Sequence, residues 1–242
     1  ELPGNNRPRL VMLYFSEPDY TGHKVGVNNL EINRTISAMD DLLGQLVNKV
    51  EKLDIFSSLN IIIVSDHGMV DVSSDRLIIL DDYITRMSDI FINGKGAYVQ
   101  FDLKNFELDF AVKFQDELKK IPHSQFWKKE DIPNRFHFNN TNTSDYLLLA
   151  EEGWFITTKS SLSQEDFSIG GMHGYDPNLS SMHGIFYAVG ADIKAGLQIP
   201  KFENIHIYPL ICKLLDIIPY NGFEDSPSGN IKVLEKIIIQ DK

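Results

Sequence analysis

The chain has 242 residues, 43% hydrophobic and 24% charged, which supplies apolar material for a sizeable core and excludes global disorder. Its formal charge is −11 and no basic stripe is present, so binding along a nucleic-acid backbone is not expected. A phosphate-bearing substrate would need positive charge concentrated at one place, as a metal cluster supplies it.

The opening "ELPGNNRPRL" lacks a methionine and the apolar core of a signal peptide, and reads as an internal fragment or a processed product. "RLVMLYF" (9–15) is a nearly continuous apolar run, as expected for a strand buried on both faces. It gives way to "SEPDYTGHKVG", where Pro18 and Gly22 suggest a turn-forming loop carrying Asp19 and His23. Ile32, Ile36, Met39, Leu43, Leu46, Val50 and Leu53 then recur at steps of three or four and predict a long amphipathic helix. "LNIIIVSDHGM" (59–69) is a β-branched run that ends abruptly in polar residues. Strand, helix, strand is the βαβ unit, which predicts an α/β fold with a mainly parallel sheet sandwiched by helices. Ligands in such sheets bind beyond the carboxyl ends of the strands, where "SEPDYTGH" and "SDHGM" both sit.

Further along, "GAYVQFDL" (96–103) alternates like a strand, and Phe106, Phe110, Phe114 and Leu118 suggest a short helix after it. "LLLAEEGWFITT" (147–158) reads as strand, turn at Gly153, strand. Residues 85–170 are expected to form a capping insertion within a single domain spanning 1–242. "GIFYAVG" (184–190) resumes the α/β pattern, and "ENIHIYPLICKLLDI" (203–217) predicts a helix whose Ile205, Tyr208, Cys212 and Leu215 face the core. Cys212 is the single cysteine, so no disulfide forms within the chain. No apolar stretch approaches the roughly 18 residues that a membrane span needs. Four N-x-S/T sequons, at Asn33, Asn139, Asn142 and Asn178, favour a secretory route.

The candidate ligands are Asp19 and His23, then Asp66 and His67, then His173 in "GGMHGYDP". Zinc favours this mixture of imidazole and carboxylate, usually with four ligands. Five protein ligands exceed one such site and suit a pair of ions about 3.5–4 Å apart that clamps a phosphoryl transfer. Each piece also has a plain reading. Asp19 and His23 suit a solvated loop, and "GGMHGYD" suits turn chemistry, with Gly supplying φ > 0 and Asp176 an Asx-turn. His183 reads as structural, and His123, His137 and His206 lack companions.

"YFSEPDYTGHKVG", "IIIVSDHGM", "KKEDIPNRFHF", "EEGW", "HGYDPNLSSMHGIF" and "FENIHIYPLICKLL" follow one another in the order and spacing of the nucleotide pyrophosphatase/phosphodiesterase family. That family belongs to the alkaline phosphatase superfamily, and the chain resembles the C-terminal half of its catalytic domain, nearest to types 4 and 5. The resemblance implies an alkaline-phosphatase-like fold and two Zn²⁺ ions, one held by Asp19, His23 and His173, the other by Asp66 and His67. It places Tyr14 where an aromatic ring stacks on a nucleobase; the plain reading of Tyr14 is a core strand aromatic. It implies hydrolysis of phosphodiester or pyrophosphate bonds in extracellular nucleotides by a monomer, releasing nucleoside 5′-monophosphates through a phospho-threonine. The family's threonine, a further aspartate ligand and an oxyanion-stabilising asparagine lie in an N-terminal half that no segment here matches. No catalytic nucleophile is therefore expected in this chain; Thr21 does not match its position. Ser16 departs from the acidic residue frequent in relatives. A choline-type lipid phosphodiesterase, a phosphomonoesterase and a non-catalytic metal- or partner-binding module are the alternatives. A secreted or cell-surface location follows from the same likeness.

Overall fold

In a computed structural model, residues 7–105, 107–164, 170–220 and 229–239 are described. In chain order they form α1 (Asp19–Val25), α2 (Leu30–Val50), β1 (Asn60–Val64), β2 (Val70–Asp71), β3 (Leu77–Ile79), β4 (Ile90–Asn93), β5 (Tyr98–Leu103) and α3 (Leu108–Leu118). Then come β6 (Ser124–Lys128), β7 (Tyr146–Ala150), β8 (Phe155–Thr157), α4 (Lys159–Gln164), β9 (Gly171–Met172), β10 (Phe186–Gly190) and α5 (Ile207–Leu214). The chain divides into two compact units, one from residues 7–16, 41–66 and 185–239, the other from 17–40 and 67–184.

The second unit is built on the antiparallel sheet β4-β5-β7-β6. Inward positions of these strands, among them Val99, Phe101, Tyr146 and Leu148, are buried, as alternation along a half-buried strand dictates. Helix α3 lays Phe110, Phe114 and Leu118 on this face, the four-residue spacing that periodicity predicted. Phe114 meets Phe101 and Tyr146 edge-on, with ring centroids 5.5 and 5.3 Å away. Phe106, counted in the predicted helix, lies outside the described residues. The buried carboxylate of Glu117 accepts from the backbone N–H and the hydroxyl of Thr85, at 3.2 and 2.7 Å, which offsets its desolvation. The turn at Gly153 forms with φ +78, but its flanking strands part company: β7 stays in the sheet while β8 pairs in parallel with β3. Arg135 grips Asp176 with both guanidinium nitrogens at 2.5 Å.

The first unit has one two-stranded sheet, β1 with β10, antiparallel. Ile62, Phe186 and Ala188 pack on a core of Ile193, Leu210, Leu234, Ile237 and Ile238, while Tyr187 and Val189 on the opposite face are exposed. Two expectations need correcting here. The run 9–15 is not a strand buried on both faces; Leu10–Phe15 are exposed, because no strand among the described residues ladders with them. The mainly parallel sheet is represented, among the described residues, by the single parallel pair β3–β8. Helix α5 is shorter than predicted; Cys212 is buried as expected and Leu210 with it, whereas Tyr208 is exposed and its hydroxyl accepts from the Tyr220 N–H at 2.8 Å. Helix α2 has the predicted register and ends at Val50, short of Leu53; only Ile32 is fully buried.

Phe114→Ala should cost about 3–5 kcal/mol in denaturant unfolding of the intact protein, against less than about 0.5 kcal/mol for Val112→Ala on the exposed face of the same helix. The hydrogen bonds from Arg135 hold the Asp176 carboxyl below the usual aspartate value. A depressed folded value adds stability above the unfolded value of about 3.9 that is lost as pH falls through the folded one. The thermal-stability deficit of Asp176→Asn should accordingly be present at neutral pH and shrink as pH drops below about 4.

Candidate functional site

The loop expected around Asp19 and His23 is a helix. Pro18 caps the N-terminus of α1, the two residues stand four apart, and that spacing sets both side chains on one face. Gly26 ends the helix at φ +80, its N–H donating to the Gly22 carbonyl at 2.8 Å. The connector to α2 is pinned by Asp71, whose carboxylate accepts from the Val27 N–H and the Asn28 amide, both at 2.5 Å.

His67 and His173 reach the same place from other segments. The residue after His67 must be small: a Cβ on Gly68 would lie 2.1 Å from the Ser181 carbonyl oxygen. His173 directly follows β9, which pairs with β2, and Gly174 beyond it takes φ +93. The Asx-turn expected at Asp176 is present, its carboxylate accepting from the Asn178 N–H at 2.9 Å.

The four side chains converge on one atom. Asp19 Oδ1 is buried and has no hydrogen-bond partner. The Nε2 atoms of His23, His173 and His67 lie 3.4, 3.7 and 3.9 Å from it. His67 and His173 stack with ring centroids 3.5 Å apart, and His23 is tilted across His173 at 5.0 Å. His23 Nδ1 is 2.8 Å from the Gly171 carbonyl and His67 Nδ1 is 2.8 Å from the Gly68 carbonyl. A carbonyl can only accept, so both Nδ1 atoms carry a proton; in the neutral imidazole that leaves Nε2, which faces Asp19, as the lone-pair nitrogen.

The Nε2–Oδ1 separations are longer than the about 2.7–3.2 Å of a well-formed hydrogen bond. A buried carboxylate oxygen without a hydrogen-bond partner is unfavourable. A divalent cation would offset that cost, and imidazole nitrogens with a carboxylate oxygen are donors that zinc favours. Asp19, His23 and His173 have donor atoms within 4.8 Å of one another and could hold one ion together.

Asp66 and Tyr14 belong to the other unit. The Asp66 side chain is exposed and its backbone carbonyl accepts from the Asn204 amide at 3.2 Å. Tyr14 is 85% exposed, which removes the plain reading of a core aromatic. His183 is exposed, as its structural reading allows, and His206 Nδ1 accepts from the Asn230 N–H at 3.0 Å. His123 stacks on Trp154 at 3.8 Å and contacts Glu151. Sequence reasoning missed the two carbonyls, Gly68 and Gly171, that fix the imidazoles, because a backbone acceptor has no residue signature.

The family model for type I phosphodiesterase / nucleotide pyrophosphatase matches residues 1–176. Bis(5′-adenosyl)-triphosphatase enpp4 of Mus musculus is 36% identical over 223 residues, covering 90% of this chain and 47% of its own length. Ectonucleotide pyrophosphatase/phosphodiesterase family member 5 of Homo sapiens is 34% identical over 222 residues, covering 88% and 44%. The chain thus spans less than half the length of these curated relatives. The structure of human ectonucleotide pyrophosphatase/phosphodiesterase 5 superposes with a TM-score of 0.83 at 30% identity, covering 94% of this chain and 58% of that one. An inactive murine form of that protein, in complex with AMP, matches at 0.82 and 29%. The fold is the alkaline-phosphatase-like α/β fold, and the chain belongs to the type I phosphodiesterase / nucleotide pyrophosphatase family.

Proposed function

We propose that the intact protein is a zinc-dependent hydrolase of phosphodiester and pyrophosphate bonds in extracellular nucleotides. Nucleoside 5′-monophosphates are released through a phospho-threonine whose threonine lies outside this chain. The observation that carries this reading is Asp19 Oδ1, buried without a hydrogen-bond partner and ringed by the Nε2 atoms of His23, His67 and His173. The relatives support the substrate class: one is named a bis(5′-adenosyl)-triphosphatase, and a structural neighbour was solved with AMP.

In this reading Asp19, His23 and His173 hold one zinc, Asp66 and His67 contribute to a second, and Tyr14 stacks on the base. Bound zinc would supply Lewis acidity, lowering the pKa of an oxygen nucleophile and neutralising charge on the phosphoryl oxygens. The chain's own residues orient that chemistry. The Gly171 and Gly68 carbonyls hold His23 and His67 with Nε2 inward, so neither ring must rotate before acting as a ligand. Residues 85–170 form a capping insertion, and the location is the cell surface or the extracellular space. Among the described residues no helix is long and apolar enough to cross a membrane.

Asp19→Asn and Asp66→Asn, each in the intact protein, should lower kcat/KM on nitrophenyl-TMP by more than about a hundredfold, beyond the usual effect of a residue that only supports a ligand. Elemental analysis should show zinc in the wild type and less of it in both variants. Near wild-type turnover in either variant would overturn the assignment. Parallel assays on diadenosine polyphosphate and glycerophosphocholine separate nucleotide from lipid substrates.

A further inference from the structure

The two glycines of "GGMH" look like turn residues in the sequence, yet Gly171 does not take a positive φ, whereas Gly174 does. Their need for glycine is spatial. A Cβ on Gly170 would stand 1.9 Å from the His23 carbonyl oxygen. A Cβ on Gly171 would stand 2.7 Å from the Gly22 carbonyl oxygen and 2.3 Å from Met69 Sδ. Real Cβ atoms essentially never come within 3.0 Å of another heavy atom, and two of these contacts are with backbone that cannot swing aside. The absence of side chains thus lets β9 press its backbone onto the last turn of α1. In that position the Gly171 carbonyl reaches His23 Nδ1 at 2.8 Å, and the Gly170 carbonyl accepts from the Val72 N–H at 2.8 Å.

We infer that Gly170–Gly171 is a positioning element for His23: by bringing the β9 backbone against α1 it fixes the Nδ1–H tautomer and aims Nε2 at Asp19. The inference rests on the proposed metal reading for its consequence, not for its geometry. The strap also joins two ligand-bearing segments, because His173 follows it by two residues and His23 lies beneath it. Met69 is the compliant part. Its thioether packs beside both Gly22 and Gly171, and a flexible side chain there accommodates small shifts that backbone would not.

The test uses the intact protein, zinc as the probe, and two readouts. Zinc affinity is measured by competition with a chelator, and the His23 tautomer by long-range ¹H–¹⁵N NMR of the metal-free protein. Gly170→Ala and Gly171→Ala should each weaken zinc binding about tenfold or more and move His23 away from the pure Nδ1–H form. Gly44→Ala, in open space on α2, should change neither. Unchanged affinity and tautomer in both strap variants would overturn the inference. Where a strap variant does not fold, the wild-type spectrum decides: Nδ1–H supports the inference, and an Nε2–H form overturns it. Absence of zinc binding by the wild type would sink the metal reading instead, and the tautomer of His23 would still judge the strap.

Discussion

A carboxylate oxygen that is buried, lacks a hydrogen bond and faces three imidazole nitrogens is the constraint around which the second unit is arranged. Burying an acceptor without a donor costs free energy. The surrounding structure maintains that arrangement with specific contacts. Asp71 pins the connector behind α1, Gly68 allows the chain to pass against the Ser181 carbonyl, and Gly171 supplies the acceptor for His23. Groups that would relax apart are thus held together by contacts outside the cluster, as expected of a site organised for a ligand rather than for stability.

How much of this could be read from residue types depended on what kind of signal each feature leaves. The candidate ligands stood out because Asp19, His23 and His67 follow the ends of apolar runs and His173 lies in a glycine-rich turn. Helix α3 was legible because Phe110, Phe114 and Leu118 repeat at helical spacing and bury together. Helix α1 was not: Pro18 and Gly22 read as turn residues, whereas Pro caps the helix start and Gly22 lies within the helix, beside Met69. The failure at 9–15 has a different origin. Apolar content predicts burial, but burial requires a partner layer, and none of the described strands supplies one for Leu10–Phe15. For α5, the apolar stripe is wide enough that periodicity alone could not choose between a face centred on Tyr208 and one on Leu210. The pairing of β7 and β8 with different partners was likewise invisible, since a turn signal says that the chain reverses and not which strand it joins next.

The glycines show the same limit most sharply. Sequence assigns a run such as "IGGMHG" to turn chemistry, because glycine's backbone freedom is its best-known property. Here the third glycine uses that freedom, and at the first two a side chain has no room where two backbones meet. Two different physical demands are written with one letter, and only coordinates separate them.

The electrostatics connect this geometry to an anionic substrate. With a formal charge of −11 and a carboxylate at the centre of the cluster, the site by itself repels phosphate. The carbonyls at His23 and His67 engage the outward Nδ1 atoms and leave Nε2 of each ring facing Asp19. Attraction for a nucleotide would have to arrive with the cation and leave with it. On the proposed reading, the buried carboxylate couples substrate binding to metal binding, so a protein stripped of metal should lose affinity for the nucleotide as well as the capacity to cleave it.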